Sequence, residues 1–542
     1  MAEGAREMPE SVSRAIGDPE GLRLLSNLVS IAPTNLEDPA RGRWEKPNYL
    51  RASERIARAA RDFGLATRIY DPLVAGDLSI DLHGQPRPNV LIDLDVGAPR
   101  TTLVLAHYDV VPVPLEQRAR WKSPPFTLTA RADGRIYGRG SNDDLGSGVI
   151  ASLLALKRLV DVPDLPTNVR LLVCCDEETG GEGGIEAIKE HDALLPANSP
   201  ERILSADVVL IPDGSPHATA GSSGVGFLDA MFERPAPLRE ALAYGEALVG
   251  LHALAREWRS SLTSPDWPDH QAPEPIITGR ATVTRVDFGP AARDATRLTL
   301  VQAHAESDAA NQIPQSVTLV FDGPVAERAG LAAALSPLLP PGFRLEPAGA
   351  SSVPIPEGTL GLALIGESGH GGYPHRARNP VPVALQILEN AGKRGLIELS
   401  TPASSSFTVD LRLPPEMELA AGLDAALGQV RAWAAEHAPT AQIVAPPGRC
   451  RSGYSLAPTH PAAVRLERML KEVLGVEGVF GEYGGTDASA FRDLRTSGGE
   501  PMPALVFGSM DREAHIHEAE ESAEPRLIGA ISEVIYRYVR AR

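Results

Sequence analysis

The sequence predicts an α/β fold: a mostly parallel sheet with helices, interrupted by an inserted α+β segment. Three observations lead to it. Several apolar runs lack the period-two alternation of a half-exposed strand, which suits strands buried on both faces of a parallel sheet. They are Leu103–Ala106, Arg170–Cys175, Asp207–Pro212 and Ala504–Phe507. Helix-patterned stretches at 146–159 and 184–191 separate the first three in β-α-β order. The texture then changes near Ser222 and returns near residue 446.

At 542 residues the chain is long enough for two or three domains. Its 43% hydrophobic content is that of a globular protein. A formal net charge of −18 argues against non-specific binding to nucleic acid or to an anionic membrane. Cys174, Cys175 and Cys450 show no CxxC spacing, so neither a disulfide framework nor a structural zinc cluster is expected. No apolar leader segment and no run of about 18 apolar residues is visible, so a cytoplasmic setting without a membrane span is expected.

In chain order, helices are expected at 10–35 and 47–64, and a strand at 66–71. Strands at Asn89–Leu94 and Thr101–Ala106 follow, then the 146–159 helix, the 168–175 strand, the 184–191 helix and the Asp207–Pro212 strand. From 222 to 445 the expected order is a strand at Gly224–Phe232, a long helix at 237–262, and strands at 277–287, 296–303 and 315–321. A helix at 325–338 stops before Pro340-Pro341-Gly342, which cannot continue it. Leu360–Ile365, Asn379–Ala391, Ser404–Leu413 and Pro415–His437 then repeat a strand–helix order, so the insert reads as two related halves. The remainder has helices at 460–474 and 525–541 around the 504–507 strand. The expected domains are thus 1–221 and 446–542, forming one split catalytic domain, with 222–445 as an inserted lid.

Parallel sheets carry their chemistry beyond the carboxyl ends of the strands. Here the ends offer His107 and Asp109, then Asp176-Glu177-Glu178, then Asp213, and finally, beyond a Gly508 loop, His515 and His517. The glycine-flanked turn Gly138-Arg-Gly-Ser-Asn-Asp143-Asp144 adds two carboxylates. One aspartate after a strand is ordinarily a turn former or cap. Several polar ends together form a metal-ligand inventory. Imidazole nitrogen and carboxylate oxygen suit Zn²⁺, or Mn²⁺ or Co²⁺ in its place. Two adjacent metals need a bridging carboxylate. Asp143 can bridge, with His107 and Asp213 on one side and Glu178 and His517 on the other. Glu177 is left over as a general base. Asp109 can orient His107 through its other nitrogen.

These residues resemble those of the co-catalytic zinc exopeptidase and amidohydrolase family that includes glutamate carboxypeptidase, aminoacylase, carnosinase and succinyl-diaminopimelate desuccinylase. The matching pieces are His107-Tyr-Asp109-Val-Val, Tyr137-Gly-Arg-Gly-Ser-Asn-Asp143, Asp176-Glu177-Glu178-Thr-Gly, Pro212-Asp213-Gly, Gly484-Gly485-Thr-Asp487-Ala, and His517 followed four residues later by Glu521. They occur in the family's order. The insert adds Gly366-Glu-Ser-Gly-His370-Gly-Gly-Tyr-Pro-His375, Asn379-Pro380 and Asp410-Leu-Arg412. The resemblance implies a zinc-peptidase catalytic domain with a lid and two Zn²⁺ per chain. It also implies a lid histidine, His370, that polarises the scissile carbonyl. Arg412 is either a holder of the substrate carboxylate or a surface strand arginine, and Gly485 and Asn379 are substrate-binding candidates. His375 and His304 read as structural, and His515 ranks below His517 as a ligand.

Leu145 departs from the lysine usual two residues after the bridging aspartate. The long insert resembles that of the monomeric bacterial dipeptidase branch, in which a second lid half stands in for a partner subunit. The expected activity is hydrolysis of an amide or peptide bond in a small molecule or short peptide bearing a carboxylate, as by a dipeptidase, a carboxypeptidase or an N-acyl amino acid deacylase. A monomer is expected, without nucleic-acid or membrane partners. The alternatives are hydrolysis of a non-peptide C–N bond, or a non-catalytic metal-binding scaffold.

Overall fold

The computed structural model describes residues 19–541 except 35–36, 39–42, 45–47, 76–84, 114, 197–198, 265–275, 292–295, 306–311, 350–353, 372–373, 375–376 and 446–449. The side chains of Asp143 and His370 also lie outside those described. Contacts divide the chain into two units: Met1–Ser222 with Tyr454–Gly481 and Thr486–Arg542, and Ser223–Gly453 with Glu482–Gly485. Among the described residues no helix is long and apolar enough to cross a membrane.

The first unit is built on a nine-stranded sheet. Its strands are β1 (Ala66–Tyr70), β2 (Asn89–Leu94), β3 (Thr101–His107), β4 (Asn168–Cys174), β5 (Val208–Ile211) and β6 (Ala218–Ser222). Much later in the chain come β15 (Tyr454–Ser455), β16 (Val479–Glu482) and β17 (Ala504–Val506). The order is β15-β6-β17-β5-β3-β4-β2-β1, with β16 paired to β6. The four central strands β17, β5, β3 and β4 run parallel. Their neighbours β2 and β6 run antiparallel to them. In β3 every residue after Thr101 is buried, as the unbroken apolar run requires.

Helices α1 (Pro19–Ile31), α2 (Tyr49–Asp62), α3 (Ser152–Leu159), α4 (Ile185–Leu194), α9 (Pro461–Leu474) and α10 (Pro525–Arg540) accompany this sheet. In α2 the buried residues Tyr49, Ala52, Ser53, Ile56, Ala57 and Ala60 make one stripe at helical spacing. Helix α3 is preceded by wide turns over Asp143–Ala151, where the helix was expected to start at Gly146. The bonds from Leu145 N to Gly140 O (3.2 Å) and from Ser147 N to Asn142 O (2.7 Å) each span five residues. Such wide turns occur often at functional sites. Strand β6, Ala-Thr-Ala-Gly-Ser, carries no apolar run, and sheet pairing alone makes it a strand.

The second unit is an eight-stranded sheet, antiparallel throughout, with helices. In chain order it comprises β7 (Gly224–Phe232), α5 (Leu238–Ala255), β8 (Arg280–Phe288), β9 (Thr299–Ala305), β10 (Ser316–Asp322), α6 (Val325–Leu335), β11 (Arg344–Pro347), β12 (Leu360–Ile365), α7 (Pro380–Lys393), β13 (Ser405–Leu413), α8 (Leu419–His437) and β14 (Ala441–Val444). The sheet order is β11-β12-β10-β9-β8-β13-β7-β14. Phe407, Val409, Leu411 and Leu413 join the helix-packed core, so Asp410 and Arg412 lie on the other face of β13.

Two expectations for the insert need correction. The long helix ends at Ala255 rather than 262, because Arg259–Thr263 alternates in burial and pairs with Ile276–Thr278. The halves are nested rather than consecutive, because β9 to β12 lie between β8 and β13 in the chain. Each holds four strands and two helices in the same arrangement: the order β14-β7-β13-β8 matches β9-β10-β12-β11, with β9 opening its half in the chain where β14 closes the other.

Glycine at 184 is required by close packing. A Cβ there would lie 2.0 Å from the carbonyl oxygen of Cys175, just beyond β4. Gly184→Ala is expected to cost about 2–4 kcal/mol, seen as a lower thermal midpoint. An unchanged midpoint would show that the turn can yield.

Candidate metal centre

Parallel pairing brings the polar strand ends together. His107 closes β3 and stands in register with Cys174, the last residue of β4. Strand β5 flanks β3 on its other side, so the loops bearing Asp176–Glu178 and Asp213 leave the sheet beside His107.

The fully buried Asp109 joins these pieces. Its Oδ1 accepts the Glu177 N–H and its Oδ2 the Glu178 N–H, each at 3.1 Å. The same Oδ1 lies 3.3 Å from His107 Nδ1. His107 Nε2 is thereby left facing Asp213 Oδ2 at 3.7 Å and Asp144 Oδ1 at 3.8 Å. On the other side His517 Nε2 lies 2.9 Å from Glu178 Oε1.

Two ligand groups result: His107 with Asp144 and Asp213, and Asp144 with Glu178 and His517. Within each group one ligand atom per residue lies within 4.8 Å of the others. The donors are nitrogen and carboxylate oxygen, and the concentration of negative charge calls for cations. Burial opposes a charged His107, yet its hydrogen bonds to Asp109 and Asp213 and the neighbouring carboxylates push it well above the ordinary histidine range. The donor set therefore fits a pair of divalent metals.

Asp144 is common to both groups, and the side chain of the expected bridge, Asp143, lies outside those described. His515 belongs to neither group and lies 3.9 Å from Glu518. Glu521, four residues after His517, is buried and paired with Arg139 of the Gly-Arg-Gly turn.

Behind Glu177 lies a buried support that the sequence reading missed. Asp176 adopts the left-handed region at φ 59°. Its Oδ2 accepts from Arg87 Nε at 2.5 Å, and both side chains are buried. Burial lifts the Asp176 carboxyl to about 6, with Arg87 opposing the rise and Asp109 adding to it. Gly183 lets the pair fit, since a Cβ there would meet Asp176 Oδ2 at 2.4 Å. Arg87-Pro-Asn89, set just before a buried strand, was the available signal.

The remaining candidates belong to the second unit. His370 pairs through its main chain with Gln312. Arg412 is buried and held by both Asp410 oxygens, Nε at 2.7 Å and Nη2 at 2.8 Å. Asn379 caps α7 by accepting from Val381 N at 3.0 Å, and donates to Val283 O at 2.8 Å. At Gly485 a Cβ would lie 2.6 Å from Val225 Cγ2. His304 stands 3.5 Å from Asp287 on the neighbouring strand, and His375 lies outside the described residues.

A sheet with two overlapping histidine–carboxylate groups at its carboxyl edge belongs to the class of metal-dependent hydrolases. The chain belongs to peptidase family M20/M25/M40, whose profile matches residues 103–541. An uncharacterised metallohydrolase of Methanocaldococcus jannaschii is 29% identical over 199 residues, 36% of this chain and 45% of its own. A Cys-Gly metallodipeptidase of Schizosaccharomyces pombe is 35% identical over 147 residues, 25% of this chain and 28% of its own. The chain thus spans less than half the length of these curated relatives. The crystal structure of human carnosine dipeptidase 1 shares the fold, with a TM-score of 0.58 over 98% of this chain and 99% of that one, at 15% identity.

Asp144→Ala is expected to weaken metal retention in both groups, about 10-fold or more, when zinc-loaded protein is equilibrated against chelator and metal per chain is counted. Asp143→Ala should weaken it less. The reverse ranking would place the bridge at Asp143.

Proposed function

We propose that the chain is a two-metal hydrolase of peptide or amide bonds in small, carboxylate-bearing substrates, of dipeptidase, carboxypeptidase or N-acyl amino acid deacylase type. The observation that carries this reading is Asp144 shared between two histidine-containing ligand groups. Family membership and the dipeptidase and desuccinylase names of several relatives support it.

His107 and Asp213 would hold one Zn²⁺, Glu178 and His517 the other, and Asp144 both; Mn²⁺ or Co²⁺ would suit the same atoms. When bound, such a pair supplies positive charge that polarises a carbonyl and acidifies water. The protein's own part is positioning and proton transfer. Asp109 holds Nδ1 of His107 so that Nε2 faces the group. Glu177, whose main chain Asp109 fixes, accepts a proton from the attacking water and returns it to the departing amine nitrogen. His370 would stabilise the oxyanion from the lid. Arg412 would bind the substrate carboxylate, sharing its guanidinium with Asp410.

The chain is further proposed to act as a monomer, because strands β9 to β12 extend the lid sheet within the same chain. Sedimentation should then give a mass near 57.6 kDa. A stable dimer would overturn that part alone.

The main test is a screen of dipeptides, N-acyl amino acids and N-carbamoyl compounds with the zinc-, manganese- and cobalt-loaded protein. Dipeptides or N-acyl amino acids should be hydrolysed, and chelator should abolish turnover. Glu177→Gln should lower kcat by about 10²–10⁴-fold with metal content unchanged. Near-normal turnover in that variant, or activity confined to carbamoyl compounds, would overturn the reading.

A further inference from the structure

His517 lies on a strained loop. Three non-glycine residues within six positions, His515, His517 and Glu520, adopt left-handed φ values of 50°, 64° and 70°. Each costs about 1–2 kcal/mol relative to ordinary backbone, so the loop persists only where its surroundings hold it. Three arginines four residues apart do much of this. Arg131 pairs with Glu520, Arg135 holds Asp511 with bonds of 2.7 and 2.9 Å, and Arg139 pairs with Glu521. Asn142 adds a bond from Nδ2 to Ser522 O at 2.9 Å.

Those contacts grip the flanks of the loop. One more reaches the ligand itself: Gln117 Nε2 donates to the main-chain oxygen of His517 at 2.8 Å. Gln117 Oε1 accepts from Arg139 Nη2 at 2.8 Å. Arginine only donates, so the amide has one orientation here, oxygen toward Arg139 and nitrogen toward His517. Arg139 is fully buried and its Nη1 is committed to Glu521, so it is a fixed anchor. The series Glu521–Arg139–Gln117–His517 links the turn bearing Asp143 and Asp144 to the loop bearing His517.

We infer that Gln117 is a positioning residue for His517. It holds the peptide after His517 and so keeps that residue left-handed, with its imidazole against Glu178. Without the bond the residue relaxes toward negative φ and the imidazole turns away. The inference rests on the reading of His517 as a metal ligand. Its consequence is selective: the group of Asp144, Glu178 and His517 loosens, while that of His107, Asp144 and Asp213 does not.

The test loads the full chain with Zn²⁺, equilibrates it against graded chelator and counts metal per chain. Wild-type protein should release its zinc in two steps. His517→Ala identifies the step that belongs to His517. Gln117→Glu keeps the acceptor for Arg139 but removes the donor to His517, and Gln117→Leu removes both. Both variants should move the His517 step alone to about 10–100-fold higher free zinc, the usual effect of losing a group that orients a ligand. Thermal midpoints accompany each variant. Wild-type release from Gln117→Glu, or an equal weakening of both steps, would overturn the inference while leaving His517 a ligand. If His517→Ala itself moved neither step, the ligand assignment would fall and the inference with it.

Discussion

The centre depends on one buried carboxylate. Asp109 accepts the amide hydrogens of Glu177 and Glu178 and faces Nδ1 of His107. It therefore sets the tautomer and aim of the imidazole and, at the same time, the backbone of the residues beside it. The two elements it joins are the ends of adjacent parallel strands, so the distance it spans is set by the sheet itself. Loss of this carboxylate would leave two N–H groups without their acceptor, and such losses cost more than a hydrogen bond normally contributes. The Arg87–Asp176 pair supports the same turn from behind.

Much of the centre was legible because its logic is local. An unbroken apolar run names a buried strand, and the residue after it names the site. His107, Asp213, Glu178 and His517 follow from that rule and do come together in the two groups. That Asp144 joins both groups was not legible, because its aim depends on wide turns that no spacing announces. Arg87, Gln117 and the acceptors of the three loop arginines were not legible either. Their partners lie tens to hundreds of residues away, and an arginine beside polar residues looks like any solvated surface. Strand β6 was missed for a related reason: its small residues become a strand only because β17 and β15 pair with it.

The lid was legible in its faces more than in its topology. Along β13 the apolar Phe407, Val409, Leu411 and Leu413 alternate with Thr408, Asp410 and Arg412, which places the two charged residues on the other face although they too are buried. Pattern alone suggested a repeat. Strand order agrees with one but nests the second half inside the first and puts β9 at its start, since hydrophobic spacing reports which face a strand buries and not which neighbour it takes. The Asp410–Arg412 pair shows the same limit. Two residues apart on one strand, they share a face, but only the fold reveals that the guanidinium already has an acidic partner.

The split of the first unit has a consequence for how the centre is assembled during synthesis. His107, Asp144 and Asp213 are all translated before the lid begins. Glu178 waits for His517, which emerges only after the whole second unit, together with the late strands β15 to β17. The growing chain therefore carries one finished set of ligands and one unfinished, with β5 and β6 still lacking the strand that will lie between them. Pairings of such long sequence separation close slowly and leave edges exposed meanwhile. A cation captured by the early set would tie two strand ends and the turn before α3 together while the lid is still being made, and metal supply and translation would then be coupled by the order of the residues along the chain.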